Sequence, residues 1–352
     1  MTVEYQRIRI SALRTLISML TVLGVVGCQP DQGRPVTLIG DRAVVTFERP
    51  LCRGDIEMIE ETLDHIEDSL DVEVVSPIEI ALWSHYADVV AHCSEGPAGC
   101  YINGEVHSLW DVQEHEIVHA VAAPLGTPEP LWAEGIAEAI SGRTRQGQAD
   151  VGSLVGLQSY REVDYGTAGH FVRWLLEDYG VEGIRALQRE IAFEEVYAME
   201  LADAAADYEA NAPWSYPHWN PCRGEPLPST SGDGWEHDID VACADPWGSA
   251  QYQSGPTVFR AVEIEASGTY SLRVTGANRV GAIACQLETL RDRPVDEMAG
   301  DIIRESSDLA LPTFFVGDEL YEIRLEPGHL QFSITVDGEA STVGFELRRL
   351  GA

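Results

Sequence analysis

The chain has 352 residues, of which 58 are Asp or Glu and 23 are Arg, with no Lys and a net charge of −35. That balance excludes nucleic acid and bare anionic lipid surfaces as partners, because their phosphates would be repelled. The length suits two folded domains with appendages.

Residues 1–27 are read as a targeting segment. Arg7, Arg9 and Arg14 form a basic start, and Thr15 to Gly27 is an apolar run too short to span a bilayer comfortably. The run ends Val25-Val26-Gly27-Cys28, which resembles a bacterial lipobox. The resemblance implies lipidation of Cys28, anchoring to a bacterial membrane and, with Gln29 next, sorting to the outer membrane or cell surface. Residues 28–35 then read as a tether.

Seven cysteines less Cys28 leave six. An even number in an exported chain implies disulfides, though six allow fifteen pairings. The spacing suggests Cys93–Cys100 around a small loop and Cys222–Cys243 around a polar linker, leaving Cys52–Cys285. No C-x-x-C pair supports a cysteine zinc site.

Val36 to Phe47 reads as a hairpin turning at Gly40-Asp41. Asp55 to Leu70 is an amphipathic helix with Ile56, Ile59, Leu63, Ile66 and Leu70 on one face and His65 at the surface. Ile78 to Trp83 is a strand, Ala87 to His92 a short helix, and Tyr101 to His107 a further strand. His107 is read as a surface residue, with the cleft wall as the alternative.

The next stretch carries the chemistry. Ser108 and Asp111 suggest a capping box for a helix that Pro124 and Gly126 end. His115-Glu116-Ile117-Val118-His119 lies inside it. Histidines four apart share a helix face and can present two imidazoles to one ion. Pro130 suits the first turn of a second helix, closed by Ser141-Gly142, that carries Glu134 back toward the histidines. Two histidines and a glutamate form a known catalytic zinc set with one position left open. Glu116, one step round the helix, can reach water without occupying a ligand position. Trp132 is read as core and Gly135 as permitting close packing on the histidine helix. Glu138 either orients a histidine or faces solvent.

His115-Glu116-Ile117-Val118-His119 and Pro130 to Glu138 together resemble the gluzincin metallopeptidases, in particular the thermolysin-like "peptidase MA" group of bacterial exported proteins. Tyr165 to Leu175 and Tyr179-Gly180 are similar to a later segment of that group. The resemblance covers about residues 75–210. It implies a zincin-like fold, zinc held by His115, His119 and Glu134, and Glu116 as the general base in hydrolysis of a protein or peptide. It also implies a Tyr or His donor to the oxyanion from a downstream helix, expected over Thr167–Tyr179. Tyr165 is the first candidate and His170 the second.

Residues 181–210 read as further helices completing a domain over 36–210. Residues 211–256 are rich in Pro, Trp, Gly and Ser and read as a linker. His218, Glu236, His237, Asp238 and Asp240 there are read as solvated rather than as a second metal site. Over 257–352 hydrophobic residues alternate with polar ones between Gly-containing turns, the pattern of a β-sandwich. The expectation is an α+β protein, a zincin-like metallopeptidase domain followed by a C-terminal β-sandwich, acting as a monomer. Two alternatives stay open: a surface-anchored binding protein with structural zinc, and a zinc hydrolase of a non-peptide amide.

Overall fold

The computed structural model describes residues 36–48, 51–93, 98–110, 113–142, 151–157, 159–214, 216, 219, 221–230, 232, 234–250, 255–285, 313–316, 318–338 and 340–351. The targeting segment, Cys28, the tether, Asp111 and His218 lie outside them. The fold mixes helices and sheets around two hydrophobic cores. Among the described residues no helix is long and apolar enough to cross a membrane.

The first core begins with the hairpin β1 (Val36–Ile39) and β2 (Ala43–Phe47), which turns at Gly40-Asp41. α1 (Arg53–Leu70) buries Ile59, Leu63, Ile66 and Leu70. β3 (Ile78–Trp83) then pairs parallel to β2. α2 (Tyr86–Cys93) precedes β4 (Gly99–Ile102) and β5 (Glu105–Leu109). The sheet order is β1-β2-β3-β5-β4, with β4 at the edge and antiparallel to β5.

The single strand expected over Tyr101–His107 is therefore two. Asn103 (φ 54°) and Gly104 (φ 89°) both adopt left-handed conformations, the requirement of a two-residue hairpin turn that Asn-Gly meets best. Ser108 is not a helix cap. It lies in β5, its hydroxyl donates to the Leu109 carbonyl, and α3 starts later, at Gln113.

α3 (Gln113–Ala122) runs into a 3-10 turn at Ala123–Leu125 that Gly126 closes. α4 (Pro130–Ser141) has Pro130 in its first turn and ends at Gly142 (φ 73°). α5 (Tyr165–Tyr179), α6 (Val181–Gln188), α7 (Phe193–Tyr197) and α8 (Leu201–Asn211) complete the layer. Trp132 is core as expected, stacked on Phe193 at 5.6 Å.

The stretch read as a linker contains β6 (Glu225–Pro226), β7 (Gly234–Ala242) and β8 (Gly248–Ser249). β9 (Thr257–Ile264), β10 (Gly268–Thr275), β11 (Arg279–Ala284), β12 (Thr313–Val316), β13 (Leu320–Leu325), β14 (Gly328–Thr335) and β15 (Ala340–Arg349) follow. One sheet has the order β13-β10-β15-β7 and the other β12-β11-β14-β9-β6, with β8 beside β9. Both contribute to the second core, for example Tyr270 and Phe345 from one and Phe332 and Ile334 from the other.

Cys93–Cys100 forms as expected, but the other bridges are Cys52–Cys243 and Cys222–Cys285. Chain proximity misleads because β7 carries the backbone away from Cys222 before Cys243. Cys52 sits at the start of α1, where the Arg53 amide donates to the Cys243 carbonyl. Arg223, beside Cys222, links α1 to β14. Its guanidinium meets Glu61, the Met58 carbonyl and Thr62, while its amide donates to Gln331.

Candidate metal centre

α3 is buried on nearly every side. Ile117, Val118 and Val121 enter the core, which fixes the helix rotation and turns His115 and His119 toward α4. His115 Nε2 lies 2.9 Å from Glu134 Oε2 and 3.1 Å from His119 Nε2. His119 Nε2 lies 3.4 Å from Glu134 Oε2. This is the His/Cys/Asp/Glu group able to hold a metal ion among the described residues.

The donor set fits such an ion in two respects. A tetrahedron with bonds of about 2.0–2.1 Å has edges of about 3.4 Å, near the separations seen here. The electrostatics also call for a positive charge. Burial lowers the His115 pKa, but hydrogen bonds to Glu134 and Glu138 and the charge of Glu116 outweigh it and raise it to about 10. Burial raises the Glu134 pKa, but His115 and His119 bring it down to about 2. A cation at the centre of these groups satisfies both.

Glu116 is 8 % exposed, and its charge acts on both His115 and Tyr165. Its side chain lies against the backbone of Gly99. A Cβ on Gly99 would fall 2.6 Å from Glu116 Cγ and 2.8 Å from its Oε1. Glu138, one turn beyond Glu134, sets Oε1 3.1 Å from His115 Nδ1. Glu138 is buried, which excludes the solvent-facing reading and leaves its carboxylate at ion-pair distance from the His115 ring.

Tyr165 opens α5, two residues earlier than expected, where the Asp164 carboxylate caps the helix by accepting from the Thr167 amide. Its ring centroid is 5.6 Å from that of His115. Burial, then the charges of Glu134 and Glu116 and a hydrogen bond to Glu134, hold its phenol well above the usual range. It is therefore a proton-bearing donor at neutral pH.

His170 is elsewhere. It is fully buried, with Nδ1 2.7 Å from the Tyr208 hydroxyl, in an aromatic cluster with Tyr216. Burial drives its pKa down to about 4. Five residues separate the two candidates, which sets them about 140° apart round the helix, and only Tyr165 faces the histidines.

Other readings change too. Gly135 packs on α5 rather than on α3: a Cβ there would lie 2.6 Å from Val172 Cγ2 and 2.9 Å from the Ala168 carbonyl oxygen. His65 is half-buried, 2.9 Å from the Ile140 carbonyl oxygen and stacked on Trp219. His107 is buried and stacked on His92 at 4.5 Å. Glu236, Asp238 and Asp240 alternate outward along β7 with no metal geometry. Tyr160 was missed. It stands half-exposed on the short turn before α5, within the field of Glu134, and no motif marks it.

No family model matches the chain, and no curated protein matches it significantly. Solved structures give distant likenesses. PliG, a periplasmic inhibitor of g-type lysozyme from Aeromonas hydrophila, is 10% identical, with 36% of this chain and 94% of that chain covered and a TM-score of 0.22. A carbohydrate-binding module of Cellvibrio mixtus lichenase 5A is 13% identical over 34% of this chain and 90% of that one, with a TM-score of 0.16. The IMPa metallopeptidase of Pseudomonas aeruginosa is 13% identical over 72% of this chain and 25% of that one, with a TM-score of 0.18. This chain therefore spans about a quarter of the IMPa chain. At such scores none of these likenesses carries an argument, and the function rests on the site.

Proposed function

We propose that this protein is an exported, zinc-dependent metallopeptidase, built as a zincin-like domain followed by a β-sandwich. The observation that carries the reading is the convergence of His115, His119 and Glu134 donor atoms within 4.8 Å of one another, with Glu116 buried beside them. Three bridges among the described cysteines suit an oxidising compartment. Attachment through lipid on Cys28 belongs to the same proposal, and the mass of the mature N-terminus tests it.

His115, His119 and Glu134 would hold the ion. Zinc in such a set supplies Lewis acidity, which makes water a nucleophile near neutral pH. Glu116 accepts the proton of the attacking water and later delivers it to the leaving amine as the C–N bond breaks. Glu138 keeps the His115 ring in its orientation. Tyr165 donates a hydrogen bond to the oxygen on which negative charge develops.

The test measures zinc content of the chain from residue 29 onward, wild type beside His119→Ala, and cleavage of an unfolded protein with and without chelator. One zinc per chain, lost in His119→Ala, with chelator-sensitive cleavage that Glu116→Gln abolishes, supports the reading. Zinc without cleavage of peptides or amides points instead to a binding protein with a structural ion. Absence of zinc from the wild-type chain defeats the proposal.

A further inference from the structure

We propose that the Cys93–Cys100 disulfide is a positioning element for Glu116, acting through Gly99. The inference rests on the metallopeptidase reading of this site. It begins with the weakness of β4. That strand has four residues and sits at the sheet edge, paired only with β5 among the described residues. Short edge strands open locally at little cost. Yet the backbone of Gly99, in this strand, forms the wall against which the Glu116 side chain rests.

Two anchors hold that wall. The pairing of Gly99 with Ser108 and of Cys100 with His107 fastens β4 to β5. On the next residue, the bridge from Cys100 to Cys93 fastens it to the end of α2. α2 is itself held by buried Val89 and Cys93. The bridge therefore ties a short edge strand to a packed helix one residue from the contact with Glu116. Gly99 has no side chain because any Cβ would occupy the space of the carboxylate.

The metal ligands are placed independently. His115 and His119 are on α3 and Glu134 is on α4. Loosening β4 leaves that donor set in place while freeing the wall of Glu116. A general base displaced by about 1 Å loses roughly 10²-fold in rate. The device therefore acts on turnover and not on zinc.

The experiment compares the full wild-type chain with Cys93→Ser/Cys100→Ser, with Gly99→Ala, and with Cys222→Ser/Cys285→Ser as a control for lost stability. Each is measured for zinc stoichiometry, kcat, KM and the 13C shift of the Glu116 carboxyl, assigned by its loss in Glu116→Gln. The expected result in the first two variants is one zinc per chain, unchanged KM, kcat lower by about tenfold or more, and a displaced Glu116 resonance. The control keeps wild-type kcat and resonance. Wild-type kcat and resonance in Cys93→Ser/Cys100→Ser overturns the proposal, as does joint loss of zinc and activity in a folded chain. If the double variant does not fold, Gly99→Ala decides. If the wild-type chain hydrolyses nothing, the peptidase reading fails, and the Glu116 resonance alone still decides the positioning role.

Discussion

Glu138 Oε1 stands 3.1 Å from His115 Nδ1, on the ring nitrogen opposite the one that faces His119 and Glu134. α4 thus grips one histidine from both sides, through two carboxylates one helical turn apart. A carboxylate on the remote nitrogen fixes the ring and its tautomer and makes the other nitrogen a better donor. Glu138→Ala is expected to weaken zinc binding by about 10- to 100-fold, read by competition with a chromophoric chelator, while Glu138→Gln retains more. Unchanged affinity in the alanine variant would remove Glu138 from the site.

Tyr165 sets its ring centroid 5.6 Å from that of His115. Its phenol keeps its proton at neutral pH. Tyr165→Phe should lower kcat by about 10²- to 10³-fold, the usual effect of losing one oxyanion donor, with KM little changed. His170→Phe, in the aromatic cluster around Tyr208, should reduce stability and leave turnover per folded molecule near wild type. Steady-state kinetics of both variants separates the roles, and wild-type kcat in Tyr165→Phe would exclude the phenol.

Asp55 gives a pH dependence. Burial pushes its carboxyl up to about 6, against hydrogen bonds from Ser249 and from the Cys52 and Ala250 amides. A folded pKa above the unfolded value of about 3.9 means that the native chain holds the extra proton. The stabilisation is complete below about pH 4 and lost as pH rises through about 6, an effect on the order of 3 kcal/mol. Asp55→Asn keeps an oxygen for both amides, which meet the same carboxylate atom. Urea unfolding from pH 4 to 7 should show wild type losing about 3 kcal/mol relative to this variant. Parallel curves would disprove the assignment.

Gly135 sets the spacing of α4 and α5. Its Cβ position is taken by Val172 and the Ala168 carbonyl. Gly135→Ala should cost about 1–3 kcal/mol by overpacking and, because α4 carries Glu134 and α5 carries Tyr165, should also reduce turnover. Thermal unfolding and kinetics together test this, and a variant as stable and active as wild type would show that the helices move apart freely.

Much of the site was legible because its signals are local. The i, i+4 spacing of His115 and His119 needs only helical geometry, and the turn through Gly126 to Pro130 is written in residues that stop and start helices. The alternation Trp235, Ile239 and Val241 inward against Glu236, Asp238 and Asp240 outward was also present, but the surrounding Pro, Gly and Ser concealed it. Asn103-Gly104 could have been recognised as a hairpin turn in the same way.

What the sequence by itself determined about this protein is the donor set, its helices and the alternating strands near the C-terminus, since each depends on residues within a turn or two of one another. Only the tertiary structure decided which of Tyr165 and His170 faces the histidines, that Glu138 stands beside His115, that Gly99 walls in Glu116, and which cysteines meet. Those relations join residues far apart in the chain, and they are set by how buried faces pack against one another, which no short-range pattern encodes.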